Sequence, residues 1–96
     1  MNEKLALVVE DDFRQAGIFA QAMKAAGYDT EIVTDGGEAM ERVEGEVPGV
    51  IVLDLHLPHA SGEEILRKIQ ADMRYEEARI ILATACLLYT SDAADE

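Results

Sequence analysis

Residues 50–58 read V-I-V-L-D-L-H-L-P, an apolar run rich in Val and Ile, interrupted by Asp54 and closed by Pro58. A run of this length and make-up predicts a strand buried on both faces, the kind found inside a parallel sheet. Asp54 is the difficulty in it. An ionised carboxylate at the end of such a strand gives up hydration worth several kcal/mol. The rest of the chain must therefore supply a compensating cation or a chemical reason for the charge.

Toward the N-terminus, residues 5–9 (L-A-L-V-V) form a short aliphatic strand candidate that runs straight into Glu10, Asp11 and Asp12. Between them and the central strand, Phe13, Ala16, Ile18, Phe19, Ala22, Met23 and Ala26 recur at helical spacing, with Gly27 as the stop. Residues 28–34 read as a second strand, and Asp35-Gly36-Gly37 as a turn that caps a helix over residues 38–43. A loop at 45–49, containing Pro48, leads into the strand of residues 50–55. Beyond Pro58, a helix is expected over 63–73, with Ile65, Leu66, Ile69 and Met73 on one face and Glu63 and Glu64 at the positive end of its dipole. Residues 79–85, R-I-I-L-A-T-A, predict a fourth buried strand. Strand and helix alternate throughout, which predicts right-handed βαβ units and an α/β fold with a doubly wound parallel sheet. In such sheets ligands bind beyond the carboxyl ends of the strands, here at residues 10–12, near Asp54, and at Thr84 and Ala85.

Composition narrows the function. The 96 residues allow one small domain, burying about 60 to 65% of its unfolded surface. Twenty acidic against 8 basic residues give a formal charge of −12, which argues against direct contact with nucleic acid or an anionic membrane and suits cations and basic partners. No apolar run approaches the roughly 20 residues of a membrane span, and M-N-E-K-L at the start is not a signal peptide. The acidic composition and this start lead to a cytoplasmic expectation.

The predicted strand ends form a coherent set. Glu10, Asp11 and Asp54 would bring carboxylates together, each pair at about 4 Å repelling by roughly 1 kcal/mol in water and about 4 kcal/mol at an effective dielectric near 20. A divalent cation resolves the repulsion, and an all-oxygen ligand set suits Mg²⁺. A carboxylate beside such an ion can attack phosphorus, and the Thr84 hydroxyl can donate to the transferred group. Plainer readings stand beside these. Asp12 would simply cap the first helix. Thr84 would be an ordinary β-branched strand residue. Phe13, Phe19, Met23, Ile65, Leu66 and Ile69 would be core. His56 and His59 have too few companions for a zinc site.

Over residues 3–85 the chain resembles the receiver domain of two-component response regulators. The resemblance rests on V-V-E-D-D at the first strand end, D-L-H-L-P-H-A-S-G at the third and A-T-A at the fourth. The spacing carries most of it: Pro58 and Gly62 stand at the family's offsets from Asp54, and Thr84 lies 30 residues beyond Asp54. It implies a flavodoxin-like sheet in which Asp54 accepts a phosphoryl group from a phosphohistidine on a sensor histidine kinase or phosphotransfer protein. It also implies that Asp11 binds Mg²⁺ directly and Glu10 directly or through water, with the backbone carbonyl of His56 as a further ligand. Thr84 would hold a phosphoryl oxygen, and the small Ala85 would leave the phosphorus open to the donor. Such a domain is not an enzyme with an external substrate; it catalyses only its own phosphorylation and dephosphorylation.

The chain also departs from the family. A full receiver has strand order 2-1-3-4-5; the pattern here provides four strands, which the resemblance places in order 2-1-3-4, and the family's lysine would lie beyond Glu96. Residues 86–96, C-L-L-Y-T-S-D-A-A-D-E, resemble translated sequencing adapter. The expectation is a partial receiver domain over residues 1–85 with a non-native tail over 86–96. The fourth strand would then form an edge, with Ile80, Ile81 and Leu82 losing part of their cover. Two other functions compete. One is a receiver-like interaction module that takes no phosphate. The other is a phosphatase-type hydrolase, which would need a second aspartate where His56 stands.

Overall fold

The computed structural model describes residues 1–55 and 61–83. In chain order the elements are β1 (Asn2–Val9), α1 (Phe13–Ala25), β2 (Asp29–Val33), α2 (Gly36–Arg42), β3 (Pro48–Leu53), α3 (Gly62–Gln70), a 3₁₀ turn (Met73–Tyr75) and β4 (Arg79–Leu82). The four strands form one sheet in the order β2-β1-β3-β4, all parallel, with Val9 opposite both Val33 and Leu53 and with Leu53 opposite Leu82. This is the predicted doubly wound sheet in its predicted order.

Strand alternation explains why helices cover both faces. Leu7, Val9, Ile51 and Leu53 point to one side, where they pack with Ala39 and Val43 from the α2 region, Ile65 and Ile69 of α3, and Tyr75. Ala6, Val8, Val50 and Val52 point to the other, against Ala16 and Ala20 of α1. β1 and β3 therefore lie between two apolar layers. Their unbroken Val, Leu and Ile runs are the sequence form of that position.

The helix ends follow local chemistry. Asp12 caps α1, its side chain accepting from the Arg14 and Gln15 amides at 2.9 and 3.4 Å. Asp35 caps α2 by accepting from Glu38 N–H at 3.0 Å. α1 ends in a Schellman arrangement: Gly27 N–H donates to the Lys24 carbonyl, Tyr28 N–H donates to that of Met23, both at 3.0 Å, and Gly27 sits at φ +100°. At the far end of α2, Arg74 donates to the carbonyls of Val43, Glu44 and Gly45, and the Tyr75 hydroxyl donates to Val43 O at 2.6 Å. No helix among the described residues is long and apolar enough to cross a membrane.

Three expectations need correction. Phe13 is not core but 74% exposed, because α1 starts level with the carboxyl edge of the sheet and its first turn has no strand beneath it. Met73 is 83% exposed. α3 ends at Gln70, the 3₁₀ turn restarts after Asp72, and this break rotates Met73 off the α3 stripe while Tyr75 takes the buried place. β4 is not a buried strand: Ile81 and Leu82 are about half exposed, since among the described residues β4 pairs with β3 alone. That agrees with the expectation of an edge.

Candidate functional site at the carboxyl edge of the sheet

The two central strands deliver the acids. Glu10 follows β1 directly and donates its N–H to the Val33 carbonyl at 3.0 Å, while Asp54 follows β3 and donates its N–H to the Val9 carbonyl at 2.9 Å. The backbone bonding of the sheet thus continues one residue past each strand, which fixes where both side chains start. Glu10 and Asp54 are buried polar residues, and Asp11 is exposed beside them. Carboxylate oxygens of the three residues lie within 4.8 Å of one another.

Packing acids this closely perturbs them. The Glu10 carboxyl is pushed up from 4.5 to about 7, first because burial disfavours its charge and also because Asp54 and Asp11 stand against it; the Asp12 N–H, donating to Glu10 Oε2 at 3.2 Å, pulls the other way. The donor set fits a small divalent cation. Octahedral Mg²⁺ at about 2.1 Å places its ligand oxygens about 3 Å apart when adjacent and about 4.2 Å apart when opposite. Three carboxylate oxygens within 4.8 Å of one another are close enough to share one such ion once the side chains close on it. The cluster combines an anionic, partly solvent-open cradle for a cation with a carboxylate, Asp54, anchored from behind.

Of the residues singled out in the sequence, Glu10, Asp11 and Asp54 are brought together. Asp12 faces its own helix as a cap. Ala83 N–H donates to the Leu53 carbonyl at 2.8 Å, so the chain on β4 arrives beside the residue preceding Asp54. His56, Pro58 and His59 in the β3–α3 connection, and Thr84 and Ala85 after β4, lie outside the described residues. Sequence reasoning noted Gly62 for its spacing and as the end of the break after Pro58, and missed what it packs against: a Cβ there would overlap the backbone of Asp54 and Leu55. A glycine at the first helical position, immediately after a serine cap, is the visible trace of that contact, because nothing in helix geometry asks for glycine there.

Comparison with known proteins agrees with this geometry. The response regulator receiver domain family matches residues 6–92. The alkaline phosphatase synthesis transcriptional regulatory protein PhoP of Bacillus subtilis is 36% identical over 70 residues, which are 73% of this chain and 29% of that protein. The chain thus spans under a third of the length of that curated relative. Among solved structures, the response regulator protein TrrA of Thermotoga maritima in complex with Mg(2+)-BeF superposes with a TM-score of 0.75 at 30% identity, covering 93% of this chain and 76% of that one. The signal receiver domain of the putative Luxo repressor protein of Vibrio parahaemolyticus gives a TM-score of 0.72 at 34% identity, covering 85% and 62%. The parallel order β2-β1-β3-β4, the acid cluster at its carboxyl edge and these matches lead to one conclusion: the chain belongs to the response regulator receiver domain family.

Proposed function

We propose that this receiver takes a phosphoryl group onto Asp54 from a phosphohistidine of a sensor histidine kinase or phosphotransfer protein. The observation that carries the reading is the convergence of the Glu10, Asp11 and Asp54 carboxylates within 4.8 Å at the carboxyl edge of the sheet. An Asp54 oxygen attacks phosphorus, the phosphorus–nitrogen bond of the donor breaks, and its electron pair returns to the imidazole. Asp11, Glu10, Asp54 and the His56 backbone carbonyl are the proposed ligands of Mg²⁺, which when bound offsets the negative charge that gathers as the two anions meet. Thr84 is proposed to donate to a phosphoryl oxygen, and Ala85 to leave space for the donor. On this reading the domain acts on no external substrate; it promotes only the gain and loss of its own phosphoryl group.

The net charge of −12 favours a basic or cation-bridged partner and disfavours nucleic acid and anionic membranes for this segment. The exposed Phe13 and Ile18 of α1 are the proposed apolar contacts for the kinase's helical phosphotransfer domain, in the cytoplasm. Residues 1–85 are proposed as the receiver portion and 86–96 as a non-native tail, although the family match runs to residue 92. The gene downstream of the Ala85 codon tests that division: receiver sequence there in place of residues 86–96 is expected, and an unchanged tail would remove the proposal.

The phosphoacceptor reading is tested by Mg²⁺-dependent incorporation of phosphate from acetyl phosphate or a phosphorylated kinase. The chain is expected to be labelled, and Asp54→Asn to lose the label. Labelling that survives Asp54→Asn would move the site elsewhere, and an unlabelled wild-type chain would favour an interaction module that takes no phosphate.

A further inference from the structure

We infer that Gly62 is a positioning residue for Asp54: the side chain it lacks lets the first turn of α3 lie directly against the Asp54 backbone and so aims that carboxylate at Glu10 and Asp11. The inference rests on the phosphoacceptor reading. A Cβ on Gly62 would stand 2.3 Å from the Asp54 carbonyl oxygen, 2.3 Å from the Leu55 Cα and 2.9 Å from the Asp54 carbonyl carbon. All three are backbone atoms, so no side-chain rotation relieves the overlap; either α3 retreats or Asp54 moves. The contact is reinforced by a hydrogen bond from Gly62 N–H to the Leu55 carbonyl at 3.1 Å.

Asp54 is held from both sides. Its N–H is bonded to the Val9 carbonyl at 2.9 Å, and its carbonyl rests on Gly62. Backbone conformation does not explain the glycine, since among the described residues the positive-φ glycine is Gly27 and not Gly62. Helix propensity favours alanine over glycine at an ordinary helical position. What the site requires of residue 62 is therefore the absence of a side chain. Ser61 keeps the approach in register by accepting from Glu64 N–H at 3.2 Å, which starts α3 at Gly62.

Gly49 supplies a matched control at the opposite end of β3. A Cβ there would stand 2.4 Å from the Glu3 carbonyl oxygen, an overlap of the same kind, remote from the acids. The experiment compares the wild-type 96-residue chain with Gly62→Ala and Gly49→Ala. Mg²⁺ binding is followed by amide shifts in NMR, phosphate incorporation from acetyl phosphate is measured at saturating Mg²⁺, and thermal melting is recorded for each. Gly62→Ala is expected to bind Mg²⁺ at least tenfold more weakly and to be labelled at least tenfold more slowly, whereas Gly49→Ala lowers Tm and leaves the folded protein's Mg²⁺ affinity within twofold. Gly62→Ala at wild-type affinity and rate would overturn the positioning role, as would equal losses in both variants. Wild-type chain that neither binds Mg²⁺ nor takes phosphate would remove the phosphoacceptor reading, and this inference with it. Should Gly62→Ala not fold, amide exchange in the wild-type chain decides: Mg²⁺ is expected to slow the Gly62 and Asp54 amides together, and slowing at Asp54 alone would overturn the coupling.

Discussion

Glu10 sets the pH behaviour of the site. Its carboxyl is held near 7 in the folded chain against an ordinary value of 4.5, chiefly by burial. Between those values the folded state keeps a proton that the unfolded state has released, so unfolding free energy falls as pH rises. The Glu10 contribution is complete below about pH 4.5 and is lost by the time pH has passed through about 7, a change on the order of 3 kcal/mol. In EDTA, Glu10→Gln is therefore expected to gain stability relative to wild type as pH goes from 5 to 8, measured by urea unfolding; a difference independent of pH would contradict this. With Glu10 as a proposed Mg²⁺ ligand, protons and the cation would compete for the same oxygens, so Mg²⁺ affinity is expected to rise over the same interval. This shift could not be read from the string E-D-D, in which Glu10 and Asp11 look alike. Only the fold buries the first and leaves the second in solvent.

Among the elements, caps and latches decide stability more locally. Asp12 holds two amides of the first turn of α1, and Asp12→Ala is expected to destabilise by about 1 kcal/mol. Tyr75, 4% exposed, ties the 3₁₀ turn to the end of α2 through Val43 O. Tyr75→Phe strands a carbonyl that Arg74 reaches only at 3.3 Å and is expected to cost about 1 to 2 kcal/mol in thermal or urea unfolding. The strands were legible because β1 and β3 spell continuous aliphatic runs, and α1 and α2 because Asp12, Asp35 and Gly27 stand where caps and stops belong. The errors share a cause. Apolar periodicity states which face of a helix is greasy, but not how far the sheet extends beneath it, and Phe13 overhangs the edge. Met73 was misplaced because the pattern I-L-x-x-I-x-x-x-M continues across a chain break in helicity that Asp72 enforces by capping a new turn.

For the whole molecule, two expectations follow from the sheet's exposed side and its acidic edge. Ile81 and Leu82 on β4 are 45% and 48% exposed, apolar side chains on a strand that pairs on one side among the described residues. Such an edge templates self-association, so the chain is expected to associate at high concentration and Ile81→Lys with Leu82→Lys to shift it toward monomer in analytical ultracentrifugation; a monodisperse wild type melting cooperatively above about 50 °C would contradict this. The second concerns linkage. A ligand present at ten times its Kd stabilises the folded state by about 1.4 kcal/mol, which for a domain of this size raises Tm by about 5 to 10 °C. Mg²⁺ is expected to produce such a shift in wild type and not in a variant lacking both Asp11 and Asp54 carboxylates.

The central place of β1 has a kinetic meaning as well. Its partners across the sheet arrive late: Val9 meets Val33 and then Leu53, and Glu10 is separated from Asp54 by 44 positions in the chain. Closing a loop of that length costs about 3 kcal/mol of entropy before any contact returns it, and nothing local brings the acids together sooner. The acid cluster, and with it the proposed cation site, is therefore born with the β1–β3 docking step rather than inherited from a preformed motif. The capacity to take up Mg²⁺ after dilution from urea should accordingly appear in step with burial of the core, in roughly milliseconds for a topology with this share of long-range pairing, making the bound ion a clock for the folding reaction.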